Sequence, residues 1–218
     1  MLGLIISGGV MMIPLMTCSI IMVAVLIERG LVFHRLGRMD IASFRREVIE
    51  LVGQDKLDEA VALCERTPSP VSAVLLVGLR AYQATSMKHL RPDAQMMVIE
   101  KAMEDYTPKA IHAVEQRLNW LSTISNVAPL FGMTGTVTGM IRSFGSLGAA
   151  GTLDAGVVGA GISEALVATA SGLIVALLSL IPYNEMMNRS EKMTLEIEEA
   201  ASEMAQFIFL REEEIPAE

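Results

Sequence analysis

Long runs without a charged side chain alternate along this chain with stretches of mixed charge. Residues 1–27, 118–141 and 165–184 hold no Asp, Glu, Lys or Arg. A helix crossing the hydrocarbon core of a bilayer needs about 20 apolar residues, so each run is long enough. The shorter apolar run 71–79 cannot span and fits a buried segment of a helix outside the membrane. Elsewhere the apolar positions keep helical spacing: Phe44, Val48, Leu51 and Val52 recur at i, i+4, i+7 and i+8, and Leu57, Val61 and Cys64 are similarly spaced. Thr67-Pro-Ser-Pro70 predicts a helix break, with Ser69 or Ser72 able to cap the next helix. A second break is expected over 86–91, with Pro92 starting another helix. The tail continues the third run as a helix with Glu191, Leu195, Glu198 and Glu199 on an exposed face, and its last residues are expected to fray. The pattern predicts an all-α integral membrane protein, with three transmembrane helices and long cytoplasmic helical extensions.

Charge sets the orientation. Residues 1–28 hold no Lys or Arg, 29–119 hold thirteen, 120–188 hold only Arg142, and 189–218 hold three. Basic residues collect on the cytoplasmic side of a membrane. The expected order is therefore an outside N-terminus with the first span over 1–28, a cytoplasmic helical domain over 29–117, and a second span over 118–144. A short outside (periplasmic) loop over 145–158, a third span over 159–184 and a cytoplasmic C-terminal helix with an acidic tail over 185–218 complete it. The loop is Gly-rich and nearly uncharged, which reads as a tight connection. A cleaved signal peptide would begin with basic residues and carry a shorter apolar core. Leu15-Met-Thr-Cys18 misses a lipoprotein cleavage site because Thr17 is bulkier than the small residue usual before such a cysteine. The first run is therefore expected to remain as a span.

Composition narrows the classes. Hydrophobic residues make up 52% of the 218 positions and mean hydropathy is +0.46, yet aromatics are only 5%; seventeen Gly and sixteen Met point to close helix packing. The net charge of −8 carries no basic stripe, which argues against a nucleic-acid partner. Two cysteines make no disulfide scaffold, and three scattered histidines make no zinc site. No convergent nucleophile or acid–base pair is visible, so neither an enzyme nor a resident cofactor is expected.

Chemistry concentrates in the second and third runs. Ser125, Pro129, Gly132, Thr136, Gly139 and Ser143 are spaced 4, 3, 4, 3 and 4, so one face of that helix is small or weakly polar throughout. Gly161, Ala165, Ala168, Gly172 and Ala176 make a similar seam in the third run. Small residues let helices approach where lipid gives no hydrophobic drive to associate. Helix–helix packing is the plainer reading of these seams, and a narrow aqueous path or a guest helix is the functional one. Glu164 stands apart, because a carboxylate in apolar surroundings is costly unless interfacial, protonated or paired. It either snorkels at the membrane surface or stands beside an ion path. Arg142 is an available partner and could equally point outward. Thr136 falls mid-span. Thr169 lies about 7–8 Å deeper than Glu164 and about 140° around the helix, so spacing alone does not join the three residues into a path.

Two long motifs then carry a resemblance. Ala128-Pro-Leu-Phe-Gly-Met-Thr-Gly-Thr-Val-Thr-Gly-Met-Ile141, with Phe144, resembles the second-span motif of the MotA/TolQ/ExbB proton channel family. Gly161-Ile-Ser-Glu-Ala-Leu-Val-Ala-Thr-Ala-Ser-Gly-Leu173, with Tyr183-Asn184 beyond it, resembles its third-span motif, and Ile27-Glu-Arg29 is also like the family. The likeness covers nearly the whole chain, and one short N-terminal span before a large cytoplasmic region is similar to the ExbB/TolQ branch. The resemblance implies an inner-membrane homopentamer around the single transmembrane helices of a dimeric ExbD- or TolR-like partner. Proton flow would then drive a TonB- or TolA-like protein reaching across the periplasm. It implies that Thr136, Glu164 and Thr169 line the pore, and that the main proton-carrying Asp belongs to the partner. Pro129, Gly132, Gly135 and Gly139, with Gly161, Ala165, Ala168 and Gly172, become helix-packing or partner-facing positions. The coupling ion implied is H+, with Na+ left open because Thr oxygens serve either. A passive, non-conducting membrane scaffold would show the same seams without needing Glu164. The chain departs from the family at Met133-Thr134, where Leu-Leu is common, and at Arg142. It also carries Leu177-Leu178 where the family has Ile-Pro, with Pro182 one turn later, so no hinge role transfers to that proline.

Overall fold

A computed structural model of the chain describes residues 8–87, 91–150 and 155–214. Among the described residues it is all helix: α1 (Met12–Leu36), α2 (Ile41–Gly53), α3 (Leu57–Arg66), α4 (Pro70–Ser86), α5 (Pro92–Glu115), α6 (Leu118–Ala150) and α7 (Ala155–Glu214). The chain divides into two compact units. One comprises Met1–Val32 with Arg117–Met186, the other Phe33–Gln116 with Met187–Glu218.

The second unit is a helical bundle whose boundaries obey local chemistry. Asp40 caps α2, its carboxylate accepting from the Ser43 backbone N–H at 3.1 Å. Asp55 adopts a left-handed φ of 61° between α2 and α3. The Thr67–Pro70 break ends in a reciprocal capping box: Ser72 N–H donates to Ser69 Oγ at 3.0 Å and Ser69 N–H donates to Ser72 Oγ at 3.1 Å. Val71, Val74, Leu75 and Leu79 of α4 are buried, so the run too short to span forms the centre of this unit. The tail of α7 presents Met193, Ile197, Ala200, Met204 and Ile208 to the same core at helical spacing, while Glu191, Leu195, Glu198 and Glu199 are exposed. Gly78 leaves the room in which Met103 and Met204 meet. Arg45 of α2 holds α7 through Glu199 at 3.2 Å and Glu203 at 2.6 Å, and Ser190 Oγ donates to Glu115 at 2.9 Å.

The first unit joins α1 as far as Val32, α6 and the first half of α7. Arg117, at a left-handed φ of 70°, separates α5 from α6 and pairs with Glu28 of α1. Among the described residues, two helices are long and apolar enough to cross a membrane: Met12–Leu36, with mean hydropathy 2.0, and Gly156–Arg211, with 2.2 in its most apolar window. The α6 helix has a more polar composition, because eleven of residues 118–141 are Gly, Ser, Thr or Asn.

Two boundaries differ from the sequence expectation. The segment 145–158, read as a loop, is helical through Ala150 and again from Ala155; residues 151–154 lie outside the described residues. Its Gly content loosens a helix without a proline to stop it. The first helix runs on to Leu36, past the charged pair Glu28 and Arg29, of which Arg29 is buried. The start of the chain (1–7), part of the second expected break (88–90) and the tail end (215–218) lie outside the described residues.

Candidate functional site

The site is built on the face that α6 and α7 turn toward each other. Ser125, Ala128, Gly132, Gly135, Gly139 and Ser143 are buried along α6, and Ala165, Ala168, Gly172, Ala176 and Ser179 along α7. The approach is close enough to exclude side chains. A Cβ placed on Gly172 would sit 2.6 Å from the Ala128 carbonyl oxygen, and one on Gly135 would sit 2.6 Å from Ala168 Cβ. At Gly132 the same atom would meet Thr169 Cα at 3.0 Å, and at Gly139 the Gly161 carbonyl at 3.0 Å. A Cβ on Gly161 would overlap Ser143 Oγ, which itself donates to the Gly139 carbonyl at 3.0 Å. Pro129 lies half-buried inside α6 and removes one backbone donor there.

Polar groups on this seam are few and engaged. Thr169 Oγ1 donates across to the Gly132 carbonyl of α6 at 2.9 Å. Thr136 Oγ1 donates to the Met133 carbonyl of its own helix at 2.6 Å. Both hydroxyl protons are thereby committed, and each oxygen keeps lone pairs to accept with. Near the far end of the seam, Arg142 Nη1 of α6 donates to Glu164 Oε1 of α7 at 2.8 Å. The Glu164 side chain is 24% exposed and that of Arg142 59%. Gly9, in the turn before α1 with φ +68°, presses its backbone on the Glu164 carboxylate so closely that a Cβ would overlap it. The positive φ and the contact both require glycine. Among the described residues no group of three His, Cys, Asp or Glu side chains could hold a metal ion. What the seam offers is one paired carboxylate, the acceptor oxygens of Thr136 and Thr169 beside the buried hydroxyls of Ser125, Ser143 and Ser179, and tightly apposed helices free of other charge.

The MotA/TolQ/ExbB proton channel family profile matches residues 68–199, well over half of the chain. This chain belongs to that family. A Synechocystis protein named as ExbB-like biopolymer transport protein 1 is 30% identical over 84% of this chain and 68% of its own length. A second from the same organism, ExbB-like 3, is 31% identical over 82% and 80%. The Tol-Pal system protein TolQ of Haemophilus influenzae is 33% identical over 53% of this chain and 51% of its own. The family is one of membrane proton channels rather than of a known enzyme class, and its ExbB and TolQ names agree with the ExbB/TolQ branch.

In this MotA/TolQ/ExbB chain the structure places Thr169 against Gly132 and Thr136 one helical turn further along α6, bonded to the Met133 carbonyl of its own helix, and puts Glu164 with Arg142 and Gly9. Glu164 is joined to neither threonine by a hydrogen bond. Sequence reasoning missed Gly9 entirely, because the contact is made by backbone from a segment about 155 residues away in the chain. The cross-helix bond of Thr169 was also invisible, since hydroxyls of lone helical threonines ordinarily return to their own backbone.

Proposed function

We propose that this protein is the channel subunit of an inner-membrane proton-driven energiser. The α1, α6 and leading α7 segments span the membrane with the N-terminus periplasmic, and residues 33–116 and the tail lie in the cytoplasm. Five copies enclose the transmembrane helices of an ExbD- or TolR-like partner. The complex energises a TonB- or TolA-like protein for outer-membrane transport or envelope maintenance. The observation that carries the reading is Glu164: a half-buried, paired carboxylate at the end of a seam that holds no other acid, in a chain of this family. Exposed apolar residues on α6 (Leu130, Met133, Val137, Met140, Ile141 and Phe144) support a third span despite its polar seam, because such a surface suits lipid or another subunit rather than water.

A proton arriving from outside adds to Glu164 and passes to the partner's carboxylate. Protonation makes that carboxylate neutral and a donor, which matches the acceptor oxygens of Thr136 and Thr169. The neutral group crosses apolar walls that its anion cannot. The drive is about 2.3 kcal/mol per charge per 100 mV, enough to bias two packing states of the complex. The chain supplies no cofactor; its coupling ion is H+. Glu164→Ala and Thr136→Ala should each abolish partner-dependent energy transduction in cells while the complex still assembles. Full activity in both variants removes these residues from the mechanism and favours a non-conducting scaffold.

A further inference from the structure

We propose that Arg142 is the ion-discriminating residue of the outer mouth: it holds Glu164 as a fixed counter-cation, so the carboxylate takes a proton but offers no place to sodium. The inference rests on the reading of Glu164 as the group that first receives the coupling ion, and specifies that ion.

The geometry closes the carboxylate on two sides. Arg142 Nη1 lies 2.8 Å from Glu164 Oε1, and the Gly9 backbone is seated against the same carboxylate. Charge elsewhere is sparse: α6 carries Arg142 alone from Leu118 to Ala150, α7 carries Glu164 alone over 155–184, and residues 8–27 carry none. The pair is therefore close to neutral as a unit and presents no net negative field to an approaching cation. A hard metal cation needs several oxygen ligands. Guanidinium has five N–H donors and no acceptor, so the position beside Glu164 that a sodium ion would share is filled by a group that repels it. Fixed positive charge at a constriction is a known electrostatic barrier to cations. The fixed charge opposes a proton as well; what separates the two ions is coordination, because a proton needs a single oxygen lone pair while sodium needs a shell of oxygens in the place that Arg142 fills. The proton forms one O–H bond on Glu164, the pair then carries the charge of Arg142, and the bond breaks when the proton moves to the partner's carboxylate.

The test uses the full chain in phosphatidylethanolamine/phosphatidylglycerol vesicles and needs no partner. Dicyclohexylcarbodiimide modifies protonated carboxyls, and mass spectrometry reads the adduct at Glu164. Modification should fall as pH rises and proceed equally in sodium chloride and in choline chloride of the same ionic strength. In Arg142→Gln, sodium should slow it severalfold, and Arg142→Lys should restore indifference to sodium. Protection of Glu164 by sodium in the unaltered chain overturns both the role of Arg142 and the choice of H+ over Na+; continued indifference in Arg142→Gln overturns the role of Arg142 alone and leaves the proton reading of Glu164 standing. No adduct at Glu164 at any pH overturns both.

Discussion

Adding one methyl group at Gly172 should part the helix pair that carries the site. Its Cβ would lie 2.6 Å from the Ala128 carbonyl oxygen and 3.1 Å from Gly132 Cα, where ordinary contact begins at 3.4 Å. The obstruction is backbone on both counts, so no side chain can swing aside. Separation by roughly 0.8 Å is required, and it also stretches the nearby 2.9 Å bond from Thr169 to the Gly132 carbonyl. Overpacking of this kind costs about 1–3 kcal/mol. The controls are Gly145→Ala and Gly159→Ala, where nothing lies within 4 Å of the new atom. There Ala should be neutral or stabilise by about 0.5–1 kcal/mol, because glycine gives up more backbone freedom in a helix. Thermal unfolding of the three purified variants, monitored by helical circular dichroism in detergent, reads the difference. Gly172→Ala should melt below the unaltered chain and the two controls at or above it. Should Gly172→Ala melt with the controls, the close approach of α6 and α7 is wrong.

Individual contacts carry three smaller expectations. Thr169→Val should lose about 1 kcal/mol of stability, the net worth of one hydrogen bond, and Thr169→Ser should recover it in the same melting assay. Cys64 is 3% exposed and burial pushes its thiol up to about 12, so iodoacetamide at neutral pH should modify it only as fast as the second unit opens; modification at the rate of a free thiol contradicts its burial. The Asp40 carboxyl is held below its ordinary value by hydrogen bonds from Ser43, so its cap stabilises α2 above the ordinary aspartate value and is lost as pH falls through the lowered one. Amide protection factors at the start of α2, taken against the intrinsic exchange rate at each pH, should fall over that acid range, and Asp40→Asn, which can still accept, should flatten the dependence.

What the residue pattern made legible was helix, and what it concealed was contact between distant segments. The 3.6-residue spacing of Phe44, Val48 and Val52, and the Thr67–Pro70 break with its two serines, describe local energetics, and those features stand in the fold where the spacing puts them. Boundaries set by weak preferences were harder. Gly145 to Ala150 hold glycines that favour turns in isolation, yet nothing there forbids helix, and α6 runs through them. Arg117 in a left-handed conformation gives no sign in sequence, because neither a glycine nor a proline marks the break, and its pairing with Glu28 joins residues far apart in the chain. At the site, the small residues of α6 and α7 could be read as a seam from spacing, but which atoms meet across it could not. Arg142 was one available partner for Glu164, and only the packed helices decide for it over outward snorkelling. Gly9 shows the limit most clearly: its role is to lack a side chain beside a carboxylate far along the chain.

The central claim is that charge crosses the membrane through Glu164 only when a guest helix carries it. Proton uptake into vesicles holding the purified chain, with and without the single-span partner and under an imposed membrane potential, tests it most directly. Uptake is expected with the partner present, none without it, and none with Glu164→Ala despite intact assembly. Uptake by the chain alone, or undiminished uptake in Glu164→Ala with its partner, would contradict the claim.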